Sequence, residues 1–320
     1  MDVCEDVAAC VLVGHETSLS LASDEVRRVP ADLMLLTVCL IWSLNFSVSK
    51  FILDEGFQPL AYSALRFSVG ALAFAAVTYA LEGSLRVRRR DAFILLAAAL
   101  IGIWLNQIGF VYGLELAGAS TTALVFGTTP VFVVLLAALS GVERLSLRFL
   151  AAAIVSFLGV ALVAAGGGGS FEVEPGGVAL ALLGAASWAV YSVAIAPLMR
   201  RYSPFRISAI VLLAGAPVLL LSGAAQIADQ DFDFSALVWI ACLFALVGPL
   251  FLTNILWFSA IDRVGPSHAA VFANLVPFLA PVFAFFLLSE RLGRIQLLGG
   301  LAIGLGILLA RRPAPVPAPE

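Results

Sequence analysis

The sequence predicts an all-α integral membrane protein: ten transmembrane helices arranged as two inverted five-helix (5+5) repeats. Three observations carry that prediction. The first is composition. Of 320 residues, 62% are hydrophobic and 12% charged, about half the charge of a soluble domain. The second is length. A hydrocarbon core about 30 Å thick takes roughly 20 helical residues to cross. Ten apolar runs of that order are present, at 33–53, 59–81, 92–114, 119–141, 147–166, 177–199, 204–225, 236–259, 266–289 and 294–310. They lack the alternation of barrel strands, so helices must satisfy the backbone within lipid. The third is internal repetition. Residues 106–145 lie without a gap on 253–292, with nine identities at a constant offset of 147. The identities include Gly118/Gly265, Ser120/Ser267, Ala123/Ala270, Pro130/Pro277 and Glu143-Arg144-Leu145/Glu290-Arg291-Leu292.

Five runs fall in each half, and an odd number forces the second copy to sit upside down relative to the first. Charge placement supports this. With the amino terminus in the cytoplasm, fourteen of the eighteen cations fall inside, among them Arg86, Arg88, Arg144, Arg201, Arg206 and Arg263. The positive-inside rule then puts both termini in the cytoplasm of a multi-pass cell-membrane protein. Glu143-Arg144 falls inside and its copy Glu290-Arg291 outside, as odd-span repeats require.

The chain divides into a cytoplasmic tail (1–30), a first repeat (31–166), an outer linker (167–176), a second repeat (177–311) and a Pro/Ala tail (312–320). Both tails read as disordered, and the first lacks the basic start and cleavage site of a signal peptide. Cys4, Cys10, Cys39 and Cys242 show neither a disulfide nor a metal spacing. A net charge of −3 carries no nucleic-acid signature. No Gly-rich phosphate loop appears, so no ATPase engine, and no cofactor, is expected.

Trp42-Ser-Leu-Asn45-Phe46 in the first run, Arg66-Phe67 in the second, and Pro130 and Pro277, each followed thirteen residues later by Glu-Arg-Leu, form a recognisable set. Together with the ten runs and the repeat of five, they resemble the EamA-type transporters of the drug/metabolite transporter superfamily over residues 31–312. Ser43 stands where the family motif usually has glycine, and Trp188-Ala-Val-Tyr191 resembles the counterpart in the second half. The resemblance implies an inner-membrane carrier of small organic solutes, often an exporter of amino acids or related metabolites, with a cavity between the repeats. It does not name a cargo.

Arg66 is the sharpest single residue. Seven positions beyond Pro59, it sits about 10 Å inside the helix end at 1.5 Å per residue. A charge at that depth faces a bundle interior or water and marks a pathway. It either snorkels and bonds neighbouring carbonyls or holds a substrate carboxylate. With Lys50 it would make an outer vestibule positive. Trp42, Asn45 and Ser49 share one helix face, and Trp188 and Tyr191 repeat the i, i+3 spacing, either as packing or as the aromatic lining of a cavity. Asn106-Gln107 and Thr253-Asn254 occupy matched positions, as do Gly127 and Asn274. These polar groups suit either interhelical bonds or substrate contact. Tyr112, Phe126 and Trp257 extend the aromatic wall.

Pro130 and Pro277 predict kinks. Gly159, Gly299, Gly300, Gly304 and Gly306 predict close helix packing, within one chain or across a homodimer. Glu143 and Glu290 read as interfacial salt bridges or snorkelled charges. His268 is a proton-relay candidate, but no run has a carboxylate near its middle, which leaves coupling open and passive efflux allowed.

The expected function is alternating-access export of small amphipathic metabolites, with amino acids the leading class and the bilayer and a small-molecule substrate the expected partners. A broad-specificity drug exporter is the alternative, favoured by the aromatic wall and disfavoured by Arg66. An intramembrane enzyme using Ser120 or Ser267 with His268 lacks an orienting third group. A membrane sensor or scaffold would not need polar residues mirrored across the halves.

Overall fold

The computed structural model describes residues 30–139, 147–165, 174–195, 197–264 and 272–310, and every regular element among them is helical. The first half comprises α1 (Ala31–Asp54), α2 (Pro59–Glu82), α3 (Arg89–Ala99), a π-helical segment (Leu100–Leu105), α4 (Asn106–Phe126), α5 (Thr129–Leu139) and α6 (Leu147–Ala165). The second comprises α7 (Pro175–Ile195), α8 (Pro204–Asp229), α9 (Ala236–Leu246), a second π segment (Val247–Leu252), α10 (Thr253–Val264), α11 (Val276–Leu288) and α12 (Arg294–Ala310). The ends follow local rules. Proline opens α2 and α8, where its missing N–H is an orphan anyway. Ser203 caps α8 by accepting the Arg206 amide, and Gly83, at φ 65°, ends α2.

Among the described residues, six continuous helical stretches could cross a membrane by length and composition, and three further apolar helices are shorter. The ten expected runs do not yield ten long helices because several are interrupted. Runs 92–114 and 119–141 share the continuous stretch Arg89–Phe126, parted at Gly118, whose φ of 80° and ψ of 169° are non-helical. A turn at Gly127–Thr128 then divides run 119–141 just before Pro130, and one at Asn274–Leu275 divides run 266–289 just before Pro277. The expected kinks are therefore full breaks. Each proline lies in the first turn of the half-helix that follows, where it needs no amide partner.

The period of 147 survives in the backbone where side chains have lost it. The two π segments match residue for residue at that offset, and so do the two turns, yet the π segments share only the leucine pair Leu105/Leu252.

Two pairs of equivalent helices, α2/α8 and α6/α12, run antiparallel. At the start of α2, the amides of Gln58, Leu60 and Ala61 reach Gln230 and Gln226 near the end of α8. At the end of α2, Thr78 and Glu82 meet Phe205, Ser203 and Arg206 at the start of α8. Helices α6 and α12 do the same through glycine. A Cβ on Gly159 would lie 2.7 Å from the Gly299 carbonyl, and one on Gly306 would lie 2.7 Å from the Ala152 carbonyl. The glycines expected to pack helices therefore do so within one chain. The remaining pairings also reciprocate: α1 packs on α10 and α11, and α7 on α4 and α5.

Candidate functional site

Two strings of polar side chains meet on α2. In the first, Ser49 donates to Asn45 Oδ1 (3.4 Å) and lies 2.9 Å from Tyr62 Oη, which accepts from Arg66 Nη1 at 3.3 Å. In the second, Ser63 donates to Gln107 (3.2 Å), Gln107 to Asn106 (3.3 Å), and Asn106 to the Gly184 carbonyl on α7 (2.9 Å). Of the residues picked from sequence, Asn45 and Arg66 thus share the first string and Asn106 and Gln107 the second. Tyr62 and Ser63 were missed. Both are single polar residues beside Arg66 in an apolar run, and their role appears only when α1 and α4 are folded against α2.

Arg66 is 9% exposed. The rings of Tyr62 and Phe67 stand 5.7 and 5.4 Å from its guanidinium carbon, and among the described residues its buried Nε has no hydrogen-bond partner. Among the described residues it forms no ion pair. Lys50 differs: it pairs with Asp54 one turn along α1, so its charge is already compensated. Phe46, Phe110 and Phe126 interlock edge to face, with centroids 5.4–5.9 Å apart.

The second half builds its own version. Trp42 donates its indole N–H to Thr253 at 3.1 Å and lies 5.1 Å from the Trp257 ring. Thr253 and Asn254 turn back to bond the carbonyls of Pro249 and Leu250 in the π segment. Tyr191 is buried over the other π segment, where a Cβ on Gly102 would come within 2.4 Å of it. Trp188 lies tilted beside Tyr191, 5.2 Å between ring centroids, but is 42% exposed and joins neither polar string. Asn274 occupies the turn between helical segments, half-buried. Its repeat equivalent Gly127 packs on the ring of Pro277, where an added Cβ would lie 2.9 Å away. The helix breaks of the two halves therefore touch.

Glu290 corrects its expected role. It is 4% exposed, and its two carboxylate oxygens each accept a backbone amide, from Ala119 and Ser120, at 2.8 Å. It caps the helical segment that restarts after Gly118, and a Cβ on Gly118 would meet its carboxylate at 3.0 Å. Glu143, Arg144, Ser267 and His268 lie outside the described residues. The end of the bundle that carries Arg86 and Arg88 is tied across the halves. Arg201 and Tyr202 donate to Asp91 at 2.8–3.2 Å, and Arg206 grips Glu82 at 2.8–2.9 Å.

A family model described as "EamA-like transporter family" matches residues 29–165 and again 175–312. The chain belongs to that family. The two matched blocks coincide with the two helical halves. Similar relatives include an uncharacterised transporter of Archaeoglobus fulgidus, 25% identical over 87% of this chain and 96% of its own. Another is the uncharacterised transporter YyaM of Bacillus subtilis, 24% identical over 89% of this chain and 94% of its own. A probable terminal-alkyne amino-acid exporter of Streptantibioticus cattleyicolor is 29% identical over 87% of this chain and 92% of its own. A solved crystal structure shares the fold at a TM-score of 0.60 and 22% identity, covering 88% of this chain and 96% of that one. This EamA-like chain is thus a membrane transporter by family, and the polar strings around Arg66 and Asn106 are its candidate site.

Proposed function

We propose that the protein is an alternating-access carrier of the cytoplasmic membrane that exports amino acids or related small amphipathic solutes. On this reading the chain crosses the membrane ten times as two inverted blocks of five, with both termini in the cytoplasm. The observation that carries it is the meeting of the two helix breaks at Gly127 and Pro277, between halves whose helix pairs α2/α8 and α6/α12 run antiparallel. Breaks in spanning helices are tolerated where they are buried in protein or line a cavity. Transporters with inverted repeats place their sites at such discontinuities.

On this reading the helices divide the motion between them. The α2/α8 pair is tied at both ends, and the α6/α12 pair is in backbone contact, so both act as rigid struts. The two π segments and the two breaks are the places where helix geometry already departs from ideal, and rocking concentrates there. Asn45, Asn106, Gln107, Asn254 and Asn274 supply hydrogen-bonding groups to the pathway, Trp42, Trp188 and Tyr191 aromatic surface, Lys50 a donor already paired with Asp54, and Arg66 the uncompensated positive charge. The amino-acid class is supported by the exporter relative and by Arg66.

The test is transport by the purified protein in proteoliposomes. Apolar amino acids loaded inside should exchange with external ones faster than in protein-free vesicles. Vesicles that move no amino acid, drug or sugar under any gradient would end the carrier reading.

A further inference from the structure

We infer that Arg66 selects the cargo by its carboxylate, gripped side-on through Nε and Nη2, and that the substrate's amine contributes little to selection. This rests on the carrier reading above and deepens it. A guanidinium has five N–H donors in a planar fork. One edge of Arg66 is anchored: Nη1 donates to Tyr62 Oη, which is itself tied to Ser49 and through it to Asn45 on α1. The opposite edge is not, because Nε is buried and has no partner among the described residues. The flanking Tyr62 and Phe67 rings hold the cation by their faces, an attraction that satisfies none of its N–H groups.

A buried charge left in this condition is costly unless a partner arrives. The group that fits a vacant Nε/Nη2 edge is a planar carboxylate, which accepts two parallel hydrogen bonds from it. A lysine at the same place would offer a point charge without the fork. Among the described residues nothing comparable awaits an ammonium group. The buried carboxylates among the described residues are Asp91 and Glu290, and both are engaged away from Arg66, Asp91 by Arg201 and Tyr202 and Glu290 by two amides. The substrate class is therefore a carboxylate with an apolar body, of which apolar amino acids are one case.

The experiment compares matched solutes: L-leucine and L-phenylalanine, their amides, and the corresponding acids lacking the amine. Proteoliposome exchange is measured with protein-free vesicles subtracted, and melting of the detergent-solubilised protein is followed with the same solutes. Both acid forms should move and stabilise, while the amides should fall at least about tenfold lower, since hydrogen bonds to charged groups are the strong ones. Arg66→Lys should raise the apparent KM for the acids about tenfold or more, and Arg66→Gln should abolish the preference for acid over amide, with melting temperatures showing that both variants fold. Amides carried as well as acids, or a native KM in Arg66→Lys, overturns the inference and leaves the carrier reading standing. Carriage of cationic drugs but of no carboxylate does the same. Vesicles that carry nothing overturn both.

Discussion

At matched positions 106 and 253 the two halves solve one problem in opposite ways. Asn106 donates to a backbone carbonyl on α7, whereas Thr253 accepts from the Trp42 side chain on α1. Both bonds follow a π segment, and both cross to the other half. The neighbouring pair diverges further, since Gln107 reaches Ser63 on α2 while Asn254 folds back onto its own helix. Charge diverges most. Helix α2 carries Arg66 deep in its length, but its counterpart α8 has no charged residue between Arg206 and Asp229. Geometry is thus shared between the halves and chemistry is not. A movement needs two equivalent frames, whereas recognition of one small solute needs a single set of groups.

Substitutions at equivalent positions put that asymmetry to the test. The largest effect is expected at Glu290. Replacing it with alanine strands two buried amides and should cost about 3 kcal/mol of stability, read as a lower melting temperature in detergent. Its copy Glu143 should matter less, because the residue matched to Ala119 is Pro266, which has no amide hydrogen to cap. Equal losses in Glu143→Ala and Glu290→Ala would show that the cap is symmetric after all.

Next comes the glycine contact. In Gly299→Ala the new Cβ would fall 2.6 Å from the Gly159 carbonyl, and such overpacking costs about 1–3 kcal/mol. Gly176→Ala, where a Cβ meets nothing within 4 Å among the described residues, is the control and should melt like the native protein. The smallest effects are expected at the cross-half bonds. Asn106→Leu and Thr253→Val should each cost about 0.6 kcal/mol, the average for interhelical polar bonds in a membrane. A loss confined to one of the two would show that only that half depends on its bond.

Much of this was legible in the sequence. Continuous apolar runs announce helices in lipid, and single polar residues inside them, Arg66 and Asn106-Gln107 above all, announce where helices meet. Parity predicts inverted halves, and the pairs α2/α8 and α6/α12 do run antiparallel. Other features escaped because they depend on distant partners. The identities Gly118/Gly265 and Glu143/Glu290 were visible, but Glu290 beside Arg291 at a helix end looks like a surface ion pair. Only the approach of a backbone 170 residues away reveals orphan amides that need it. The π segments left no trace because they share almost no side chains. Trp188 shares a spacing with Tyr191, whereas its greater exposure follows only from the folded helix. Tyr62 was under-read, since its hydroxyl matters only once α1 brings Ser49 to it.

The most direct measurement of the central claim, that the halves are inverted copies, is compartment labelling at equivalent helix ends. Ser84 follows α2, and Asp231, 147 residues later, follows α8. In a background lacking Cys4, Cys10, Cys39 and Cys242, Ser84→Cys should react with a membrane-impermeant maleimide only from the cytoplasmic face, and Asp231→Cys only from the outer face. Labelling of both from the same face would contradict the inversion and the carrier mechanism built on it.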